Sequence, residues 1–164
     1  MSDYENIREL ARKIVEQCTK RGVKIATAES CTGGMISAAI TSVSGSSAAI
    51  ELGVCSYSNR IKSGVLGVSE KTLEERSEYS RECAEEMARG VLKLSGADFA
   101  VSTSGVAGPS GGTLENPVGT VYISVCGKDK TISEKFVFPD TGRDNIRAAA
   151  TEKALSMLLG ISEL

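Results

Sequence analysis

Apolar positions recur along this chain with two periods, one helical and one alternating, and the changes between them mark its elements. Ile7, Leu10, Ala11, Ile14, Val15 and Cys18 keep helical spacing behind a capping-box pattern of Ser2 and Glu5, with Gly22 as the expected stop. Residues 23–29 alternate and predict a strand. Ser30-Cys31-Thr32-Gly33-Gly34 reads as a turn, and 35–41 as a helix of small and apolar residues. A Gly/Ser loop at 44–47 precedes a predicted strand over 50–57. A turn at Ser58-Asn59, a short helix over 61–66 and another beginning at Ser69 follow. Ser80 is placed to cap a longer helix that carries Cys83, Ala84, Met87, Ala88 and Val91 on one face and ends at Gly96. Residues 98–102 read as a buried strand and 104–119 (SGVAGPSGGTLENPVG) as a Gly/Pro-rich loop. Strands over 120–126 and 131–138, joined at Gly127-Lys128-Asp129-Lys130, predict an antiparallel hairpin. A closing helix over 143–159 presents Ile146, Ala150, Ala154 and Leu158.

Helices before, between and after the strands imply the α/β class, as a three-layer α/β/α sandwich around one mixed sheet. Neither repeat nor linker interrupts the pattern, so a single domain over 1–164 is expected. The 41 % apolar content is enough for its core. A net charge of -2 supplies no field that draws in nucleic acid or an anionic membrane, so neither is expected as a partner. No apolar run is long enough to span a bilayer, and the charged start MSDYENIREL lacks the apolar core of a signal peptide. A cytoplasmic location is expected. The five cysteines, Cys18, Cys31, Cys55, Cys83 and Cys126, are scattered without a CxxC pair, which argues against a disulfide framework and a zinc site.

The chain contains no histidine. A Ser-His-Asp triad, a Cys-His pair and His-based zinc sites are therefore excluded within one chain. Covalent catalysis here must take its proton acceptor from Lys, Tyr, Asp, Glu or a terminal amine.

Four segments can carry chemistry. In Thr27-Ala28-Glu29-Ser30-Cys31-Thr32-Gly33-Gly34 a strand ends, a hydroxyl follows and two glycines open a helix. That order puts a side-chain oxygen at the sheet rim and directs helix N-terminal N–H groups at a phosphate or an oxyanion. The plainer alternative is that Ser30 or Thr32 only caps the helix. Cys31 is a rival nucleophile, since a helix N-terminus lowers a thiol pKa; a free buried Cys is more often a small hydrophobe. The second segment, Tyr57-Ser58-Asn59-Arg60-Ile61-Lys62, closes a strand and opens a helix, so Tyr57 and Lys62 can reach the same rim. A lysine serves as a base only when burial or a nearby cation lowers its pKa, and most helix lysines are simply solvated. The third is the loop Ser104-Gly105-Val106-Ala107-Gly108-Pro109-Ser110-Gly111-Gly112, whose glycines let backbone N–H groups approach an anion. It matches neither the P-loop nor GxGxxG, and a plain surface loop is the alternative. The fourth, Asp140-Thr141-Gly142-Arg143-Asp144-Asn145-Ile146-Arg147, offers Arg143 or Arg147 as a phosphate clamp, or as surface arginines paired to Asp140 or Asp144.

TAESCTGG at 27–34, GSS at 45–47, YSN with Lys62, SGVAGPSGG at 104–112 and PVGTV at 117–121 occur in order over nearly the whole chain. Together they resemble the CinA C-terminal domain family. The resemblance implies an α/β/α fold and nicotinamide-mononucleotide deamidase activity, converting the carboxamide to a carboxylate and releasing ammonia. It assigns the nucleophile to Ser30 and the base to Lys62, with Tyr57 and Ser46 or Ser47 as assistants. Backbone N–H groups at Thr32, Gly33 and Gly34 are then expected to hold the oxyanion. Ser104, Gly105, Gly108, Gly111, Gly112, Arg143 and Arg147 are expected around ribose and phosphate. No metal or organic cofactor is expected, the partner is a small nucleotide substrate, and a homo-oligomer is anticipated. Two departures bear on this. Many members carry an N-terminal domain similar to molybdopterin-binding proteins, absent from these residues, so its activity is expected to be absent. Residue 116 is Asn where a lysine is expected before the proline, which removes any substrate contact that lysine makes. The rival readings are a non-catalytic competence or DNA-damage partner and an amidase for another small amide.

Overall fold

The computed structural model describes residues 3–161. Helix α1 (Asp3–Arg21) leads to β1 (Ile25–Glu29) and α2 (Met35–Thr41), and a 3-10 turn (Ser46–Ala48) leads to β2 (Ile50–Cys55). Three helices follow, α3 (Asn59–Leu66), α4 (Glu70–Glu75) and α5 (Arg81–Ser95). The chain closes with β3 (Phe99–Gly105), β4 (Thr120–Cys126), β5 (Thr131–Val137) and α6 (Arg143–Ile161). The expected capping residue Ser2 lies outside the described residues.

The strands form one mixed sheet in the order β2-β1-β3-β4-β5. β1 lies parallel to β2 and to β3, whereas β3–β4 and β4–β5 are antiparallel. Alternation along β1 fills both faces. Ile25 joins Val101, Ile123 and the apolar stripes of α1, α2 and α6, while Ala26 and Ala28 join Met87, Ala88 and Val91 of α5. This is the expected three-layer sandwich. No described helix is long and apolar enough to cross a membrane.

Local signals account for the helix ends. The Ser58, Ser69 and Ser80 hydroxyls accept the N–H of Ile61, Thr72 and Cys83, satisfying donors that the first turn leaves free. Ser58 thus starts α3 at Asn59, two residues before the expected start. β1 begins at Ile25 rather than 23, β2 stops at Cys55 rather than 57, and β5 at Val137 rather than 138. β3 runs on to Gly105, beyond the expected end at 102, because Thr103, Ser104 and Gly105 pair with Ile123, Tyr122 and Val121 of β4. Their polar side chains resemble a loop, but the ladder takes their backbone groups. α6 likewise continues to Ile161, which is buried.

α3 lies so close to α5 that a Cβ on Gly90 would collide with the backbone carbonyl of Leu66. The C-terminal ends of β1, β2 and β3 open on one rim of the sheet, where Ser30 follows β1 and α3 follows β2.

Candidate active site

Ser30 continues β1, its N–H donating to the Thr103 carbonyl at 3.0 Å. Lys62, on the inner face of α3, is 1 % exposed and Ser30 6 %. Lys62 Nζ donates to Ser30 Oγ at 3.2 Å. Burial lowers the lysine pKa from its ordinary value, with the Glu78 carboxylate among the groups opposing that shift. A lysine held this way gives up its proton more readily than a solvated one, beside a hydroxyl that it can activate without histidine. The rival nucleophile is disfavoured: burial pushes the Cys31 thiol up to about 12, so it stays protonated.

The nucleophile turn is built around Glu29, which is fully buried. Its Oε2 accepts from Thr32 Oγ1 at 2.7 Å and from the N–H groups of Gly34 and Ile36, both at 3.0 Å. Its Oε1 accepts from the Ser37 N–H at 2.8 Å and Oγ at 2.9 Å. The carboxylate thus occupies the N-terminus of α2, where backbone donors and the helix field favour negative charge. This corrects the expected oxyanion site. Gly34 donates to Glu29, and Gly33 donates to the Ser30 carbonyl at 3.0 Å. Thr32 is buried, with its hydroxyl shared between Glu29 and Thr103. The Cys31 and Thr32 N–H groups instead lie against the sulfur of Cys31, a residue of the pocket lining, and favour its charged form. Glu29 stands in the quoted motif, yet nothing local distinguishes it from a strand-end surface residue.

The pocket over Ser30 and Lys62 is lined by Cys31, Tyr57, Asn59, Glu78, Tyr79, Ser110 and Arg143, and by the segment from Gly105 to Gly108. Tyr57 reaches it but is 62 % exposed, and its hydroxyl accepts from Arg143 Nη2 at 2.9 Å rather than contacting the dyad. Arg143 Nη1 donates to the Gly108 carbonyl at 2.8 Å, so the loop and α6 hold this guanidinium at the pocket wall. Gly105 packs against Thr120 and Val121 of β4, leaving no room for a Cβ.

Other expected site residues stand elsewhere. Ser46 and Ser47 belong to the 3-10 turn before β2, and the Ala49 carbonyl accepts the N–H of Ile25 at the start of β1. They are therefore at the opposite end of the strand from Ser30. Ser104 is buried and donates its hydroxyl to the Glu78 carbonyl at 2.7 Å. Gly112 packs against Val118, and Gly111 approaches only Val106, outside the lining. Arg147 is a brace: Nε donates to the Cys31 carbonyl at 3.1 Å and Nη2 to that of Thr32 at 3.2 Å, with Asp144 3.6 Å away. Residue 116 points inward, its amide bonding the Tyr79 carbonyl at 3.1 Å and the Tyr122 hydroxyl at 2.9 Å.

Asn59, Glu78, Tyr79 and Ser110 line the pocket without having been singled out from the sequence. Asn59 and Ser110 lay inside quoted motifs; Glu78 and Tyr79 sit in a short inter-helix turn that carries no motif. Among the described residues no group of three or more His, Cys, Asp or Glu is placed to hold a metal ion.

A family model described as the CinA C-terminal domain matches residues 7–161. A CinA-like protein of Shewanella sediminis is 42 % identical over 154 residues, covering 94 % of this chain and 36 % of that protein. The chain thus spans about a third of the length of that relative and of several others like it. A nicotinamide-nucleotide amidohydrolase PncC of Enterobacter agglomerans is 49 % identical over 125 residues, 76 % of each chain. The crystal structure of competence/damage inducible protein CihA from Agrobacterium tumefaciens superimposes with a TM-score of 0.92 at 42 % identity, covering 94 % of both chains.

Proposed function

Since the chain belongs to the CinA C-terminal domain family, we propose that it is an amidohydrolase that deamidates nicotinamide mononucleotide through an acyl-enzyme on Ser30. The observation that carries the reading is the buried hydrogen bond of 3.2 Å between Lys62 and Ser30. The name of the Enterobacter agglomerans relative supplies the substrate class.

Neutral Lys62 accepts the Ser30 proton as Oγ bonds to the carboxamide carbon. Charge gathers on the carboxamide oxygen, to which we assign the Cys31 and Thr32 N–H groups, in the turn that follows Ser30, as donors. Collapse expels the amine, which takes a proton from the Lys62 ammonium and leaves as ammonia. Lys62, neutral again, draws a proton from water as the hydroxide attacks the ester; the Ser30 oxygen then leaves with that proton from Lys62, and the acid product ionises to the carboxylate. Arg143 is the cation at the pocket wall for the substrate phosphate, and it replaces the expected pair of Arg143 and Arg147.

Ammonia release from nicotinamide mononucleotide by wild type and Ser30→Ala, with nicotinamide alone as control, tests this. Removing a nucleophile of this kind costs roughly a thousandfold or more in turnover. The expected result is ammonia from the nucleotide only, abolished in the variant. Near-normal turnover by Ser30→Ala, or no ammonia from the wild type, overturns the proposal.

A further inference from the structure

The turn between α4 and α5 is held more firmly than a connector requires. Ser77 adopts a φ of 69°, a left-handed conformation that costs a serine energy unless its surroundings impose it. Its hydroxyl accepts the Tyr79 N–H at 3.0 Å, and its carbonyl accepts from Ser80 Oγ at 2.8 Å. Ser104 fastens the Glu78 carbonyl and Asn116 the Tyr79 carbonyl. With both backbone carbonyls turned into the fold, the two side chains are left to the pocket beside Lys62, which both residues line.

No salt bridge among the described residues includes Glu78, and none includes Arg143 across the same pocket. The cavity that holds the Ser30–Lys62 pair therefore presents one anion and one cation without a salt-bridge partner. A half-buried carboxylate without a counter-ion is costly to hold beside a lysine required as a neutral base, because it favours the ammonium. A bound cation offsets that cost.

We infer that Glu78, with Tyr79 beside it, reads the positive charge of the substrate ring, so that the pocket selects zwitterionic pyridinium nucleotides over neutral amides of the same shape. This rests on the deamidase reading for its substrate. Arg143 takes the phosphate, Glu78 faces the ring nitrogen, and the carboxamide, on the far side of that nitrogen from the ribose, is carried to Ser30. Tyr79 adds an aromatic surface for the ring. Its phenol pKa is raised by burial and by Glu78, so it stays protonated.

The test is binding, separated from turnover. Nicotinamide mononucleotide and its reduced dihydropyridine form share shape and phosphate but differ in ring charge. Titrated calorimetrically into Ser30→Ala, the cationic form is expected to bind roughly tenfold tighter, the scale of one partly solvated charge pair. In the Ser30→Ala/Glu78→Gln double variant that preference is expected to vanish, through weaker binding of the cation alone. Glu78→Asp, retaining the charge, is expected to keep most of it. A merely structural role for Glu78 lowers both affinities together. Equal affinities in Ser30→Ala, or an unchanged preference after Glu78→Gln, overturn the inference. If wild type releases ammonia while the preference is missing, the inference fails and the deamidase reading stands. If no ammonia is released yet the charge preference is present and lost in Glu78→Gln, the deamidase reading fails and the inference stands.

Discussion

Replacing Glu29 by Gln changes one atom in a fully buried side chain and leaves its volume almost unaltered. The carboxylate accepts five hydrogen bonds of 2.7 to 3.0 Å, three on Oε2 and two on Oε1. A glutamine retains one oxygen. Its best orientation keeps Thr32 Oγ1, Gly34 N–H and Ile36 N–H, and turns the new NH2 toward Ser37. The Ser37 hydroxyl can rotate and accept, but the Ser37 N–H then faces another donor, and an orphaned buried amide costs about 1–3 kcal/mol. The remaining bonds lose their charge assistance, and the N-terminus of α2 loses its anion, worth about 0.3–1 kcal/mol or more when buried. Relief from burying a charge offsets part of this. The expected loss is about 3 kcal/mol, a large share of the about 5–15 kcal/mol that holds a typical domain together. With a urea slope of about 2 kcal/mol/M, the midpoint falls by about 1.5 M. Urea unfolding followed by circular dichroism measures it, and ammonia release is expected to fall in parallel because Thr32 and Gly34 set the position of Ser30. A midpoint within about 0.5 M of wild type, about 1 kcal/mol on the same slope, refutes the claim that this carboxylate organises the nucleophile turn.

Burial holds the Lys62 pKa below its ordinary value of 10.5. Between the folded and unfolded values the unfolded chain binds the extra proton, so wild-type stability rises with pH through that window. Lys62→Met is therefore expected to be inactive yet more stable at pH 7, its advantage narrowing as pH approaches 10.5; unfolding at several pH values checks this, and a less stable variant with a pH-independent deficit sinks it. Wild-type kcat/KM is expected to climb with pH to a plateau, with an apparent pKa below 10.5, as the neutral amine forms. Gly90→Ala, which by helix propensity gains about 1 kcal/mol, is expected to lower Tm and ammonia release together, because the new methyl meets the Leu66 carbonyl and displaces the helix that carries Lys62. A raised Tm in differential scanning calorimetry contradicts that packing argument.

Much of the architecture was legible along the chain because hydrophobic period reports burial directly. α5 shows it, with five buried residues at helical spacing between a serine cap and a glycine stop. Strands β4 and β5 fall within a residue of their expected bounds, although β4 is buried along its whole length and the buried position of β5 is Ser133. Where backbone pairing overrode side-chain character the boundary moved, as in β3. The absence of histidine narrowed the chemistry, and the resemblance carried by the motifs pointed to Ser30 and Lys62. Their meeting across 32 residues, however, required the parallel β1–β2 pairing that brings both strand ends to one rim. Tertiary structure alone gave the Glu29 carboxylate the helix N-terminus that the motif suggested for substrate. It likewise turned Tyr57 to Arg143, sent Ser46 and Ser47 to the far end of the strands, and seated Glu78 and Tyr79 in the pocket. Composition and periodicity report which residues leave water. Which polar group satisfies which donor depends on distances of about 3 Å between segments far apart in the chain, and no local pattern encodes them.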